Sequence, residues 1–449
     1  MFRYNLELAI HGLRRFPRST VLVVLTVALG LAACMTTLTL LHVLTADPLP
    51  GRSQHMYQAW VDTVQGKAFT TSADMALNGV TASSGFQRIK LGDAQALLAA
   101  HRAMGQVVVA DMIGNVASTD GKRVENSQVI LATSSDFVPM FGVSLRYGRD
   151  WSATEEAART PVAMLDTETA QKLFGTTNAV GRGIRIEHTV FRVVGVFEPF
   201  APQPQFYGLD MGAYSSDGWA GVYLPYTAAL DAGLSTRGSD RCDASYKMPA
   251  SGGSPSAPAH CASLGFWVQL DSPAQVAGYR AFLTHYVEQQ KALAGFDQPA
   301  TAKLTSVAAW LKQQDVVPDS VRLNVWLAGS FLLLCMINVA GLLAARFLRR
   351  SGEIGVRRAL GAPRRAVFLQ HVLEASGACL AGGVLAIPLT WLGVWTLRQQ
   401  GNDFSGLAHL DPLMFGALFG LALAVGVLVG ILPAWRASAV EPGLQVKSE

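Results

Sequence analysis

Apolar positions along this chain follow two patterns. Four long runs are apolar almost throughout: about 20–45, opening "TVLVVLTVALGLAACM", then 323–345, "LNVWLAGSFLLLCMINVAGLLAA", then 372–397 and 412–435. Each reaches the roughly 20 residues that a helix needs to cross the hydrocarbon core of a bilayer. Transmembrane helices are therefore expected at 19–46, 322–345, 372–397 and 412–435. Residues 47–321 instead carry short apolar runs and alternating stretches broken by turn residues. The fold class read from this is a membrane protein with four transmembrane α-helices in a 1+3 layout. A large α+β extracytoplasmic domain is inserted between the first and second helices.

Inside that insert, "HMYQAWVDTV", "GQVVVADMIGNVAS", "KRVENSQVILATS", "TPVAMLD", "IRIEHTVFRVVGVFE", "LGFWVQLD" and "AKLTSVAAWL" predict strands. "LGDAQALLAAHRAMG", "TETAQKLFG" and about 273–293 predict helices. Residues 232–262 are rich in Gly, Ser, Ala and Pro and predict an exposed excursion. The order of these pieces suggests one subdomain, about 47–130 plus 262–321, interrupted by a second at about 131–261. Ahead of the first span, "MFRYNLELAIHGLRRF" spaces Phe2, Leu6, Ile10 and Leu13 as an amphipathic helix, suited to lying among inner headgroups.

Charge orients the chain. Residues 1–18 hold four Arg against one Glu, and 346–371 hold seven Arg against one Glu, whereas 47–321 hold more acidic than basic residues. Short basic segments stay in the cytoplasm. Both termini, the 346–371 segment and the 436–449 tail are expected inside, with 47–321 and the short 398–411 loop outside. The first apolar run is too long for a signal-peptide core, and "LTADPLPG" is a poor cleavage site, so a retained anchor is expected.

Of the five cysteines, Cys34, Cys335 and Cys379 fall in predicted spans, where a thiol acts as a small apolar group. Cys242 and Cys261 share the outer domain, and either pair in an oxidising compartment or stay as buried thiols. Asn338 is the conspicuous polar residue within a span; it either holds a neighbouring helix or takes part in transmitting movement. Gly416 with Gly420, and Gly426 with Gly430, make small-residue strips expected to serve close helix packing.

Several chemistries lack their residues. No G-x-x-x-x-G-K-[ST] phosphate loop occurs, so no ATP hydrolysis is expected in this chain. The nine histidines form no H-x-x-x-H or H-x-x-H pair, no G-x-S-x-G elbow is present, and no buried acid other than Glu374 sits in the spans. Neither a metal site, nor a catalytic residue set, nor a proton path is expected, and nothing points to nucleic acid.

The densest charge lies in "RFLRRSGEIGVRRALGAPRRAVFLQHVLEA", residues 346–375. Arg346, Arg349 and Arg350 read as a positive anchor at the end of the second span. The rest mixes Ile354, Val356 and Leu360 with Arg357 and Arg358, breaks at "GAP", and resumes as a helix into the third span. Such a segment would also suit anionic lipid headgroups.

"NVAGLLAAR", "EIGVRRALGA" and the terminal "GILPAWRASAVEPGLQV" resemble the permease subunits of MacB/FtsX-type ABC transporters. Gly430, Pro433, Ala434, Arg436 and Ala437 match the family's closing signature, and Asn338 matches an asparagine common in it. "SSDFVPMFGVSLRYGRDW", "PVAMLDTETAQKLFG" and "AVGRGIRIEHTVFRVVGVFE" resemble the MacB-like periplasmic core domain.

The resemblance implies a bacterial inner-membrane permease without a cofactor of its own. ATP and Mg would be bound by two copies of a separate ABC ATPase, since this sequence opens on the first span. Glu353, Ile354, Gly355, Arg357, Arg358, Ala359, Leu360, Gly361 and Ala362 would form the coupling helix that docks into the ATPase. A second permease, identical or paralogous, would complete the unit, with a periplasmic adaptor and an outer-membrane channel as further partners. Efflux by mechanotransmission is the expected activity. The alternatives are an FtsX-like regulator of an external partner, a lipoprotein-releasing permease, and an ATP-independent binding protein. The excursion around Cys242 and Cys261 has no counterpart in the resemblance.

Overall fold

The structure, a computed structural model, describes residues 17–64, 69–70, 87–119, 123–208, 220–236, 241–243, 260–294, 301–314, 316–317, 319–349, 352, 356, 360–361, 363–399 and 412–439. It forms two compact units. One is Ala46–Val316, and the other joins Met1–Thr45 to Val317–Glu449.

In the first unit the strands are β1 Met56–Asp62, β2 Phe69–Thr70, β3 Gly105–Ser118, β4 Val124–Thr133, β5 Leu145–Gly148, β6 Val162–Asp166 and β7 Gly183–Ile186. They continue as β8 Thr189–Phe197, β9 Val222–Pro225, β10 Ser235–Thr236, β11 Arg241–Cys242, β12 Cys261–Ala262, β13 Gly265–Gln269 and β14 Thr301–Ser306. The helices are α1 Leu91–Ala99, α2 Phe137–Phe141, α3 Ala153–Ala157, α4 Thr167–Phe174, α5 Tyr226–Asp231, α6 Pro273–Ala294 and α7 Val307–Gln313.

Eleven strands share one sheet, in the order β14-β1-β13-β3-β4-β9-β6-β8-β5, with β10 on β3 and β7 joining β3 to β8. Strand β3 is the spine. Its start pairs with β13, from Gly105 against Gln269 to Val109 against Gly265, and its far end pairs with β7, Val116 against Ile186. Through β7, the strands β3, β4, β9, β6 and β8 close on themselves as a ring. Closure of this kind removes exposed strand edges.

The continuous apolar run of β3 has a structural reason. Val108, Ala110 and Met112 enter one core with Leu97, Ile130 and Phe266. Val107 and Val109 enter a second core with Phe137, Phe141, Trp151 and Trp267. A strand buried on both faces loses the polar-apolar alternation of a half-exposed one.

Two predicted elements are redrawn. "AKLTSVAAWL" stops as strand at Ser306, whose hydroxyl accepts from the Ala309 amide (3.4 Å) and starts α7. An N-cap of this kind turns the chain whatever the strand propensity of the next residues. "IRIEHTVFRVVGVFE" is a hairpin, β7 and β8, turning at Glu187 with φ 49.

Among the described residues of the second unit, four helices are long and apolar enough to cross a membrane. They are the first span Pro17–Thr45, the second Asp319–Leu348, the third Arg364–Arg398 and the fourth Pro412–Ala439. A common core takes Val23, Val27 and Leu31 from the first, Val339, Leu343 and Phe347 from the second, Ala375, Cys379 and Ala386 from the third, and Leu418, Ala422 and Val429 from the fourth. These recur at four or seven residues, the spacing of one helix face. Opposite faces leave Leu29, Leu334 and Trp391 exposed, as helices against hydrocarbon do.

The two glycine strips differ. A Cβ on Gly426 would stand 2.7 Å from Ser376 Cα and one on Gly430 2.8 Å from Ala375 Cβ, so only glycine lets the fourth span approach the third here. Among the described residues, Gly416 and Gly420 meet nothing within 4 Å, so none of these supplies the packing expected of them.

Candidate functional site

The segment between the second and third spans is built by two breaks. The Leu360 amide donates to the Val356 carbonyl (3.0 Å), a single helical turn. Gly361 then takes φ 95, a left-handed conformation that suits glycine and ends the turn. Pro363, extended at φ −69 and ψ 146, caps the third span, whose first residues Arg364 and Arg365 are exposed. Proline is tolerated there because a helix start has no use for its missing N–H.

Val356 is 57% and Leu360 83% exposed. Being four apart on one turn, they share a face. The result is an apolar knob, followed in the chain by the exposed Arg364 and Arg365. Of the residues that the resemblance assigns to docking, Leu360 and Gly361 are described. Glu353, Ile354, Gly355, Arg357, Arg358, Ala359 and Ala362 lie outside the described residues, as does Arg350.

At the root of this segment sits a polar cluster that the sequence reading missed. Arg346 is buried, not an exposed anchor like Arg349. Its Nη2 lies 3.0 Å from Glu374 Oε1 on the third span, with 4% and 0% of the two side chains exposed. Its Nη1 donates to Thr20 Oγ1 on the first span (3.3 Å). His371 Nδ1 lies 3.7 Å from the other oxygen of Glu374, and its ring rests on Phe347 with centroids 4.1 Å apart. The signal was in the spacing: 332, 335, 339, 343 and 346 make one stripe of buried residues along the second span, and Arg346 is its last member.

Asn338 lies on the exposed face of the second span, beside Leu334 and Ile337. Gly430, Pro433 and Ala434 are buried in the fourth span; Arg436 and Ala437 continue its helix.

In the Ala46–Val316 unit, Cys242 and Cys261 form a disulfide across the β11–β12 pair, whereas Cys34, Cys335 and Cys379, in the spans of the other unit, are free thiols. Next to the bridge, Asp243 lies 3.3 Å from Lys90, whose Nζ also donates to the Thr63 carbonyl (2.7 Å), so the clip is fastened to the main sheet.

The same unit buries several carboxyls. Burial, with Glu156 and Asp136 nearby, pushes Asp150 up to about 7 despite the Trp151 amide it accepts from (2.7 Å). Burial also raises Glu156 and Asp93, the latter held by Thr63 and by the Tyr286 hydroxyl (2.8 Å). Arg149, donating twice to Glu155 at 2.7 Å, pulls that carboxyl down to about 2. Among the described residues, no three His, Cys, Asp or Glu side chains gather as metal ligands would.

Four packed spans, an apolar knob between the second and third, and a sheet domain inserted after the first define a membrane permease of the 1+3 class. Residues 20–285 match the MacB-like periplasmic core domain, and residues 325–442 match the FtsX-like permease C-terminal domain. The chain belongs to this MacB/FtsX-type permease family.

Among curated proteins it is similar to the macrolide export ATP-binding/permease protein MacB of Shewanella sp. (strain W3-18-1), 23% identical over 322 residues, covering 70% of this chain and 42% of that one. It is also similar to the pyoverdine export ATP-binding/permease protein PvdT of Pseudomonas aeruginosa, 27% identical over 324 residues with the same two coverages. The chain thus spans less than half the length of these relatives. Among solved structures, the periplasmic region of MacB from Actinobacillus actinomycetemcomitans aligns at 15% identity and a TM-score of 0.36, over 58% of this chain and 92% of that one.

Proposed function

We propose that this chain is the permease subunit of a MacB-type ABC transporter in a bacterial cytoplasmic membrane, with both termini inside and the 46–316 unit outside. It couples ATP hydrolysis on a separate ATPase subunit to conformational work beyond the membrane, and so exports a substrate from the periplasm or outer leaflet. The observation that carries this is the knob: Val356 and Leu360, apolar and exposed on one turn, held by Gly361 and Pro363 between two spans. An exposed apolar face in a segment whose sequence is rich in arginine suits a cleft in a protein partner better than a lipid surface, which needs charge alone.

ATP and Mg belong to that partner, present in two copies. The exposed amide of Asn338 supports a second permease, identical or paralogous, against the second span, because an amide facing lipid lacks the partner that one at a helix interface finds. The relatives' names, macrolide export and pyoverdine export, point to small-molecule cargo, carried onward by an adaptor and an outer-membrane channel.

Reversing Arg357 and Arg358 to Glu in the full chain tests the assignment. Capture of the co-expressed ATPase in detergent is expected to weaken at least about tenfold, the scale for disrupting interfacial charges. Unchanged capture would remove the docking role.

A further inference from the structure

We propose, resting on the docking reading above, that Arg346 and Glu374 form a buried latch. It makes the ends of the second and third spans move as one body when the knob is pushed. His371 and Thr20 complete it.

The knob is joined to the spans through two weak points, the helix end near Arg349 and the Gly361–Pro363 break. Left alone, such ends act as hinges, which absorb a displacement in a few backbone torsions. Arg346 lies three residues before Arg349 and Glu374 eleven after Pro363, so their pairing closes a bridge behind both weak points. Thr20 adds the first span to the same bridge. Three spans are thereby pinned at one level, directly behind the segment that would take the load.

Stability does not account for the pair. A charge within a span is expensive, and a buried ion pair is commonly matched or exceeded in stability by apolar side chains of similar size. What the pair adds is register. Its bond distance is met at one rotation and one height of the second span against the third, whereas apolar contacts tolerate sliding. These are positioning residues: they contact neither the nucleotide nor the cargo.

The test uses the full chain with the ATPase that co-purifies with it, in lipid nanodiscs. Cys34, Cys335 and Cys379 are changed to Ala, and spin labels are placed through Leu323→Cys and Gln399→Cys. Both positions are exposed, and they lie at the ends of the second and third spans away from the latch. Two quantities are read: ATPase affinity, and the change in label separation on trapping with ATP and vanadate.

The paired variant Arg346→Met with Glu374→Leu leaves no lone buried charge. It is expected to keep thermal stability, to bind the ATPase within about threefold of the unaltered chain, and to lose at least about half of the nucleotide-driven change. The exchange Arg346→Glu with Glu374→Arg is expected to restore most of that change, which a purely structural role would not predict from an already stable protein. A full change in the apolar pair, with the ATPase bound, overturns the latch and leaves docking intact. Loss of ATPase binding in the unaltered chain overturns the docking reading and the latch with it.

Discussion

Asp150 shows how a single carboxyl contributes to the pH response of the sheet unit. An aspartate titrates near 3.9 in an unfolded chain, whereas burial holds this one at about 7. The folded state therefore keeps its proton longer. Stability contributed by the neutral form is complete below about pH 4 and is lost as pH climbs through about 7. Asp150→Asn stays neutral throughout. It is expected to raise the melting temperature at pH 8 by roughly 2–4 °C, the effect of about 1 kcal/mol in a domain of this size, and to change little near pH 4. Thermal unfolding of the full protein in detergent, at several pH values, checks this; an equal offset at every pH would exonerate Asp150. No sequence pattern announces such a group, because its shift comes from the fold that buries it and, beyond that, from the charges of Glu156 and Asp136 that the fold brings close. Arg346 is the contrary case, legible from its place on the 332–343 stripe had the positive-inside rule not offered a simpler reading first.

At the level of elements, the glycine strips separate contacts that the chain makes from those it leaves open. Gly426→Leu forces the fourth span off Ser376 and is expected to cost about 1–3 kcal/mol, as overpacking does. Gly416→Leu meets no neighbour among the described residues and is expected to stay within about 0.5 kcal/mol. Detergent melting curves of the two variants give the comparison, and similar losses in both would contradict the packing described. Long elements were readable because length and period carry them, as with the spans and β3. Short ones were not: α2, "FVPMF", and α3, "ATEEA", are single turns. The α3 turn depends on the Ser152–Glu155 capping box more than on any periodic face. The ring, too, was out of reach, since β4 and β9 lie side by side in parallel though they are far apart in sequence.

For the whole molecule, the proposed orientation makes a plain prediction. Thiols introduced by Leu293→Cys in the sheet unit and Leu360→Cys on the knob are both well exposed, at 73% and 83%. A membrane-impermeant maleimide added to intact spheroplasts is expected to label the first and to reach the second only after lysis. Labelling of Leu360→Cys in intact cells would invert the chain and end the ATPase reading. The ring in the sheet unit carries a mechanical corollary. A flat sheet pulled at its margin unzips one bond row at a time, but β3, β4, β9, β6, β8 and β7 have no margin from which to start. Each strand is gripped on both flanks, so tension on one is shared around the hoop, and yielding requires many rows to break together. Such a part is suited to being levered repeatedly without unravelling.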